Sequence, residues 1–431
     1  MTSRRAFVQG LAGAGVTLPV LRSSAFGQLF KAAAVAGDRP AAAVAEDETY
    51  WSLIQSAFDI DRTLINLNNG GISPAPTHVM EALVRELRFT NELPVENMWR
   101  VLEPRMESTR RDLAQDFGCD PEEMAVVRNA SEANEIMIFG LDLKRGDEVI
   151  VTNQNYPRMI TSWQQRVRRE GIVLKQVSFK VPPPSDEYLV EQFRQAITPR
   201  TRVIEVTHIT NLTGQIMPVR EIVRMARPLG IEVFVDGAHA FNHFPFKRDD
   251  LECDYYGTSL HKWTLAPVGA GFLYVRRSKI PHLWSLMGSV ETNTSNIRKY
   301  EEIGTHPQGH FNSVSAAVAF SRGIGIDRKI ARFRYLRNRW ATPLQAENDR
   351  VKILTPLTGD KSGAIGFISI DGLDPLKLGP WLWDNYKIVN TPIVHPEFSG
   401  LRITPNVYTM PQEIDTFADA IRKAIKGGIT A

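Results

Sequence analysis

From about residue 120 onward, short apolar runs alternate with amphipathic helical segments, and this rhythm restricts the chain to a mostly parallel α/β sheet. Glu148–Thr152, Ile172–Val177, Arg202–Thr207, Ile231–Asp236 and Gly271–Val275 read as strands. Arg158–Glu170, Glu187–Ala196 and Val219–Leu229 carry helical periodicity between them. Parallel strands need crossovers of a dozen or more residues, and these helices supply them. The pattern changes near Asp327, where a long helix begins. Short strands follow at Lys352–Leu354, Ala364–Ile370 and Lys387–Val389, then an amphipathic terminal helix over Pro411–Ile425. We therefore expect a leader and linker over 1–45, a large domain over 46–325 and a smaller α+β domain over 326–431. The segment around Trp51–Leu67 is expected to reach the small domain.

The 431 residues are 43% hydrophobic and 23% charged, with a net charge of +3. That is ample material for a large core, with no charge excess to attract nucleic acid. The arginine-rich run Arg328–Arg339 is read as a solvated helix face. Two cysteines, Cys119 and Cys253, exclude a disulfide framework and a cysteine metal cluster. Nine histidines show no HExxH or similar ligand spacing, so no metal is expected. At the amino terminus, Ser3-Arg4-Arg5-Ala6-Phe7-Val8 precedes a modest apolar stretch, Leu11 to Leu21. This reads as a twin-arginine export signal, too short for stable membrane insertion, and it predicts a periplasmic enzyme. Cleavage is expected at Ala34-Val35-Ala36 or Ala43-Val44-Ala45. The plainer reading is a disordered, arginine-containing terminus.

Three short elements carry the chemistry. Asp236, in Val233-Phe-Val-Asp-Gly-Ala-His239, ends an apolar strand, where open α/β sheets bind ligands. Burial there raises a carboxyl pKa unless a cation pairs with it, and a protonated ring nitrogen is one such cation. Alone, an Asp at a strand end more often caps a helix or turn. Ser259-Leu-His-Lys262-Trp263 follows the strand-like Cys253–Tyr256. An apolar surround lowers a lysine pKa and frees the amine for covalent chemistry, although a lone loop lysine is usually just exposed. Arg128-Asn-Ala-Ser-Glu-Ala133 opens a predicted helix after Met124–Val127. Its free N–H groups and helix dipole suit a phosphate, and the same residues form a capping-box-like pair, Asn129 with Glu132.

Together with Leu67-Asn-Asn-Gly-Gly-Ile-Ser-Pro74, Asn155-Tyr-Pro157, Asn211-Leu-Thr-Gly214, Gly304-Thr305 and Leu401-Arg-Ile-Thr-Pro-Asn-Val-Tyr408, these motifs stand in a recognisable order. From about Tyr50 to Ile425 the chain resembles the class V aminotransferase family of fold-type I pyridoxal-phosphate (PLP) enzymes. The likeness is to its isopenicillin N epimerase-like branch, which includes a twin-arginine-exported enzyme of pyoverdine-siderophore maturation. The resemblance implies pyridoxal 5′-phosphate as cofactor, carried covalently on Lys262. It implies that Asp236 faces the ring nitrogen and that His239 or Asn211 lies near the ring hydroxyl. Tyr156 would stack on the ring face. Ala130, Ser131, Ser259 and His261 would hold the phosphate, joined by Thr305 from the second subunit of a homodimer. Arg402 and Gly71 would bind the substrate, the guanidinium clamping its carboxylate. Read locally, Arg402 is as well a surface strand residue and Tyr156 a packing residue.

One departure is informative. Cysteine desulfurases of this family need a nucleophilic cysteine in the loop that reads Thr391-Pro-Ile-Val-His-Pro-Glu-Phe-Ser-Gly400 here, which has none. A persulfide relay is not expected, and His395 in that loop is kept outside the catalytic set. The expected reaction is epimerisation or transamination at the amino-acid end, glutamate-like, of a peptide natural product such as a siderophore precursor. The alternatives are a C–S lyase and a PLP-fold protein that binds without turnover.

Overall fold

The computed structural model describes residues 24–291 and 294–429. Strands Ile65–Asn66 (β1), Met124–Val127 (β2), Glu148–Thr152 (β3), Val173–Val177 (β4), Thr201–Thr207 (β5), Glu232–Asp236 (β6), Tyr255–Ser259 (β7) and Gly271–Val275 (β8) belong to the first part of the chain. Val351–Ile353 (β9), Gly366–Ile370 (β10), Ile388–Val389 (β11), Thr391–Val394 (β12) and Ser399–Ile403 (β13) follow. Seven strands form one sheet in the order β2-β8-β7-β6-β5-β3-β4, in which only β8 runs against its neighbours. Apart from the edge strand β4, its strands are buried on both faces, as a sheet sandwiched between helices requires. In β6, Val233 and Val235 join the core on one face while Phe234 joins the core on the other.

The chain leaves β3 outward to β4 and then crosses back to place β5 on the other side of β3. Strand order reverses there, and ligands of open α/β sheets bind at such a point, beyond the carboxyl ends of the strands. The crossover helix Pro157–Glu170 shows how local sequence sets its limits. Pro157 occupies the first turn, where its missing N–H costs nothing, and Arg168 and Arg169 sit at the negative end of the dipole. Gly171 then takes a left-handed φ of 76°, which ends the helix.

The small domain is a four-stranded antiparallel sheet, β12-β13-β10-β9, covered by helices Ile326–Glu347 and Pro411–Gly427. The segment after Trp51 does reach it, since β1 pairs in parallel with β11. The run Thr391–Gly400, expected as a loop, is mostly a hairpin of β12 and β13 with its tip at residues 395–398. Arg328–Arg339 departs from the expected solvated face. Arg332 and Arg337 are buried, the first on Glu48 and the carbonyl of Ala45, the second on Ser362 and the carbonyl of Gly363. Composition shows how many arginines there are; only packing shows which of them the neighbouring loops enclose.

Residues 24–45, expected as a linker, are folded as well. Helix Ser24–Ala36 buries Phe26, Leu29, Ala32 and Ala36 beside Tyr50, Trp51 and Ile54 of helix Glu48–Gln55. Helix Ala41–Ala45 follows, and the Val44 carbonyl accepts a 2.8 Å bond from the Trp51 indole. Both expected cleavage sites therefore end helices, with Ala36, Val44 and Ala45 buried. The arginine pair and the stretch Leu11–Leu21 lie outside the described residues. Burying Phe26 and Leu29 contributes roughly 3–6 kcal/mol. A chain beginning at Asp47 should therefore melt several degrees below one beginning at Ser24 in thermal unfolding. Equal melting temperatures would show that the two helices add nothing to the fold.

Candidate active site

The carboxyl ends of β2, β3, β5, β6 and β7 lie along one edge of the large sheet, and each is followed by an expected site residue. After β2, Asn129 caps helix Ala130–Gly140 by accepting from the Glu132 N–H at 2.9 Å. The Glu132 carboxylate completes no capping box; it binds the backbone and guanidinium of Arg128 instead. Ser259, the last residue of β7, accepts a 2.9 Å bond from the Ala130 N–H, so these two are brought together at the helix amino terminus. Ser131 lies in the same first turn. Tyr156 caps the next helix after β3 and is 43% exposed, at the rim.

Asp236 is buried at the end of β6, with one oxygen accepting from the Ala238 N–H at 3.0 Å. Burial pushes its carboxyl pKa up, opposed by that bond, by Lys262 and by the Asn134 amide. Gly237 beside it is obligatory, because a Cβ there would lie 2.0 Å from the Tyr256 ring. Lys262 follows β7 and places its amine 3.1 Å from His239 Nε2. Burial pushes the amine down to about 8, Arg402 adding to the effect and Asp236 resisting it. His239 is held far below its ordinary range, by burial first and then by Lys262. Its Nε2 shares a hydrogen bond with the amine, while its Nδ1 has no partner among the described residues.

Arg402 comes from the other domain, on β13, and is 7% exposed. Its Nη1 donates to the Asn211 carbonyl at 3.1 Å, and its Nη2 to Asn68 Oδ1 at 2.8 Å and to Thr391 Oγ1 at 3.2 Å. None of these partners is acidic, and burial lowers the guanidinium to about 10. Gly71 donates its N–H to the Asn68 carbonyl and so closes the turn that carries Asn68. Thr305 is exposed and joins no part of this cluster within one chain. His395 braces the hairpin tip against the Asn153 carbonyl at 3.2 Å. Cys253 is buried with its thiol pushed up to about 12, and Cys119, also raised, stands before β2.

Sequence reading missed Asn68, Thr391 and Asn134, which orient Arg402 and Asp236, and Glu205. Glu205 is fully buried on β5, pushed up to about 8 by burial and by Asp236, and accepts from the Trp163 indole at 2.6 Å. Asn68 lay inside a motif already singled out and Asn134 one residue beyond another, so a search for polar neighbours in and beside them could have found both. Glu205 stood out only as an acid inside an apolar strand.

The cluster leaves His239 Nδ1, Asn211 Oδ1, His261 Nδ1 and Arg402 Nε buried without partners among the described residues. Such atoms cost roughly 1–3 kcal/mol each unless something pairs with them. A carboxylate for a ring nitrogen, a reactive lysine, a helix amino terminus for a phosphate and unpaired polar atoms between them fit pyridoxal phosphate. The fold and the site define a PLP-dependent enzyme of fold-type I. A sequence model of the family described as aminotransferase class-V matches residues 65–389. Isopenicillin N epimerase of Streptomyces clavuligerus is 29% identical over 390 residues, 86% of this chain and 97% of that protein. Isopenicillin N epimerase of Amycolatopsis lactamdurans is 28% identical over 397 residues, 88% and 99% of the two chains. A solved cysteine desulfurase from Escherichia coli has a TM-score of 0.74 at 20% identity, covering 87% of this chain and 98% of its own. A mutant C-DES with glycine linked to its PLP cofactor also scores 0.74, at 21% identity, covering 83% and 96%. The chain belongs to the aminotransferase class-V family, in its isopenicillin N epimerase-like branch, and pyridoxal 5′-phosphate is its cofactor.

Because burial holds the Lys262 amine near 8 instead of 10.5, the uncharged reactive form grows as pH rises through about 8. Capture of added pyridoxal phosphate by cofactor-free protein, trapped with borohydride and mapped to Lys262, should follow that curve. A midpoint near the ordinary lysine value, or a label that survives Lys262→Ala, would contradict the assignment.

Proposed function

We propose that this enzyme acts at the α-amino group and α-carbon of an amino acid, by epimerisation- or transamination-type proton transfer. Its substrate in this reading is the free, glutamate-like amino-acid end of a peptide natural product, such as a siderophore precursor, met in the periplasm. The observation that carries the reading is Arg402, a buried guanidinium without an acidic partner, close enough to Lys262 to depress its pKa. A buried cation of this kind calls for an anion, and a carboxylate matches its two-pronged donor geometry. The epimerase relatives support action on such a substrate. Tyr156, exposed at the rim, supports a substrate that extends beyond the site.

When bound, pyridoxal phosphate supplies an electron sink that weakens the bonds of the α-carbon. Asp236 would face the ring nitrogen and, as a carboxylate, would keep it protonated. The Ala130 and Ser131 end of its helix, with Ser259 and His261, would hold the phosphate. Arg402 fixes the substrate carboxylate and so orients its Cα–H bond toward Lys262. Lys262 Nζ then takes the α-proton and returns it, and its lowered pKa suits both directions near neutral pH. A proton delivered to the opposite face of the α-carbon would give epimerisation, and one delivered to the cofactor carbon would give transamination.

Export is supported by Arg4-Arg5 and the apolar stretch after it. Pairing of two chains, with Thr305 completing the second site, is supported by exposed Met80, Val84 and Leu87 on helix Thr77–Glu92 and by nearby Val95 and Trp99. The test is incubation of holoenzyme with L-glutamate and glutamyl peptides in deuterated water. Deuterium at the α-carbon with loss of chirality marks epimerisation, and a 2-oxo acid marks transamination. Exchange on free glutamate alone would overturn the peptide substrate, and pyruvate with ammonia from a sulfur-substituted amino acid would mark β-elimination instead. No exchange on any amino acid would leave a binding protein. Arg402→Ala should keep the visible cofactor band yet lower kcat/KM by about 10²–10³, the cost of stranding a buried carboxylate.

A further inference from the structure

His243 takes no part in the site described above, yet both of its ring nitrogens are engaged between the site's two halves. Nε2 lies 2.7 Å from the Ala364 N–H and accepts from it, which fixes the imidazole proton on Nδ1. Nδ1 therefore donates to the His239 carbonyl at 2.7 Å. His239 in turn meets the Lys262 amine through its own ring. On the other side, Ala364 precedes β10, whose Phe367 is the register partner of Arg402 on β13. Three hydrogen bonds, linked through the intervening backbone and side chains, thus join the sheet that carries Arg402 to the amine that carries the chemistry.

The surrounding sequence is shaped around this one ring. Asn242 adopts a left-handed φ of 58°, which Asn tolerates, and this turns the chain so that the next side chain folds back over His239. Gly363 permits the approach of the small-domain backbone, since a Cβ there would lie 2.2 Å from His243 Nε2. The imidazole stacks on the Trp263 indole, the residue after Lys262, with centroids 3.9 Å apart and planes 25° apart. Lys329 holds the Trp263 carbonyl from below at 2.6 Å. Burial keeps His243 neutral, at about 3, against the opposing bond to the His239 carbonyl, and the basic side chains of Lys329, Arg334 and Arg337 disfavour its protonation further. One tautomer therefore persists across the working pH range.

We infer that His243 is a positioning residue that sets His239, and through it the Lys262 amine, relative to the small-domain sheet bearing Arg402. A histidine that merely filled the core would need the stack on Trp263 and neither hydrogen bond. The inference rests on the assignment of Lys262 as the cofactor-bearing residue.

The experiment uses the PLP-loaded enzyme and reads the pH midpoint of its visible cofactor band, with thermal unfolding alongside. His243→Phe keeps a stacked ring and loses both hydrogen bonds. Gly363→Ala leaves His243 in place and pushes the backbone off it. Both should move the midpoint by at least about 0.5 pH unit, and His243→Asn, whose amide stands in for Nδ1–H, should restore part of that shift. In the cofactor-free protein, the Ala364 amide should exchange with solvent faster in His243→Phe. Variants that load the cofactor and titrate at the wild-type midpoint, whatever their melting temperature, would overturn the role of His243. A wild-type protein without a visible band would overturn the Lys262 assignment instead. If His243→Phe does not fold, Gly363→Ala and His243→Asn carry the same expectations.

Discussion

A carboxylate buried at the end of a central strand must be compensated, and Asp236 sets that demand for the whole site. Its burial on β6 favours the neutral acid, while the Ala238 N–H, the Asn134 amide and the Lys262 amine favour the anion. None of these is a contacting cation of the kind that a protonated ring nitrogen provides. The neighbours are arranged so that such a ring can be received. Gly237 clears the approach of the chain to Tyr256, and His239, Asn211 and His261 leave polar atoms unpaired around the space. Lys262 meets the same low-dielectric surround from the opposite sign, and the result is an amine partly uncharged near neutral pH.

The second demand comes from Arg402. Asn68, Thr391 and the Asn211 carbonyl satisfy its donors geometrically without cancelling its charge. With the Arg402 guanidinium buried beside no carboxylate and the site histidines held neutral, the pocket is biased toward anionic ligands, both a phosphate and a carboxylate. These contacts also make the domain junction part of the site. Asn68 follows β1, which pairs with β11 of the small domain, and Asn211 follows β5 of the large sheet. A shift of one domain on the other would move Arg402 relative to Lys262.

The helices at the amino end and the buried arginines belong to the same junction. Arg332 links the carbonyls of Ala45 and Thr409 and stacks over Trp51, while Arg337 closes the loop ahead of β10. A buried guanidinium with carbonyl partners is costly to place and costly to strand. The positions of residues 24–45 and of the loop 356–364 are therefore coupled to one helix, Ile326–Glu347.

Local sequence determined the large-domain strands almost to the residue, because each is a short Val- and Ile-rich run bounded by turn chemistry. Met124–Val127, Glu148–Thr152 and Gly271–Val275 coincide with β2, β3 and β8, and only the strand before Lys262 is displaced by more than one residue, starting two and ending three residues later than expected. The motifs after those strands were legible for the same reason, since a parallel sheet delivers its strand ends to one edge. The hairpin β12–β13 was hidden, because Pro392 and Pro396 in a short run look like loop punctuation and its pairing partner β10 is about thirty residues away. Which arginines of Arg328–Arg339 are buried, and that residues 24–45 pack on the core, depended on contacts between segments far apart in the chain. So did the roles of Asn68, Thr391 and Asn134, which are ordinary polar residues until a distant charge is set against them. Residue types and their local order determined the chemistry the chain can offer. Long-range packing alone decided which groups lose their water, and with it the pKa of Lys262 and the unpaired charge of Arg402.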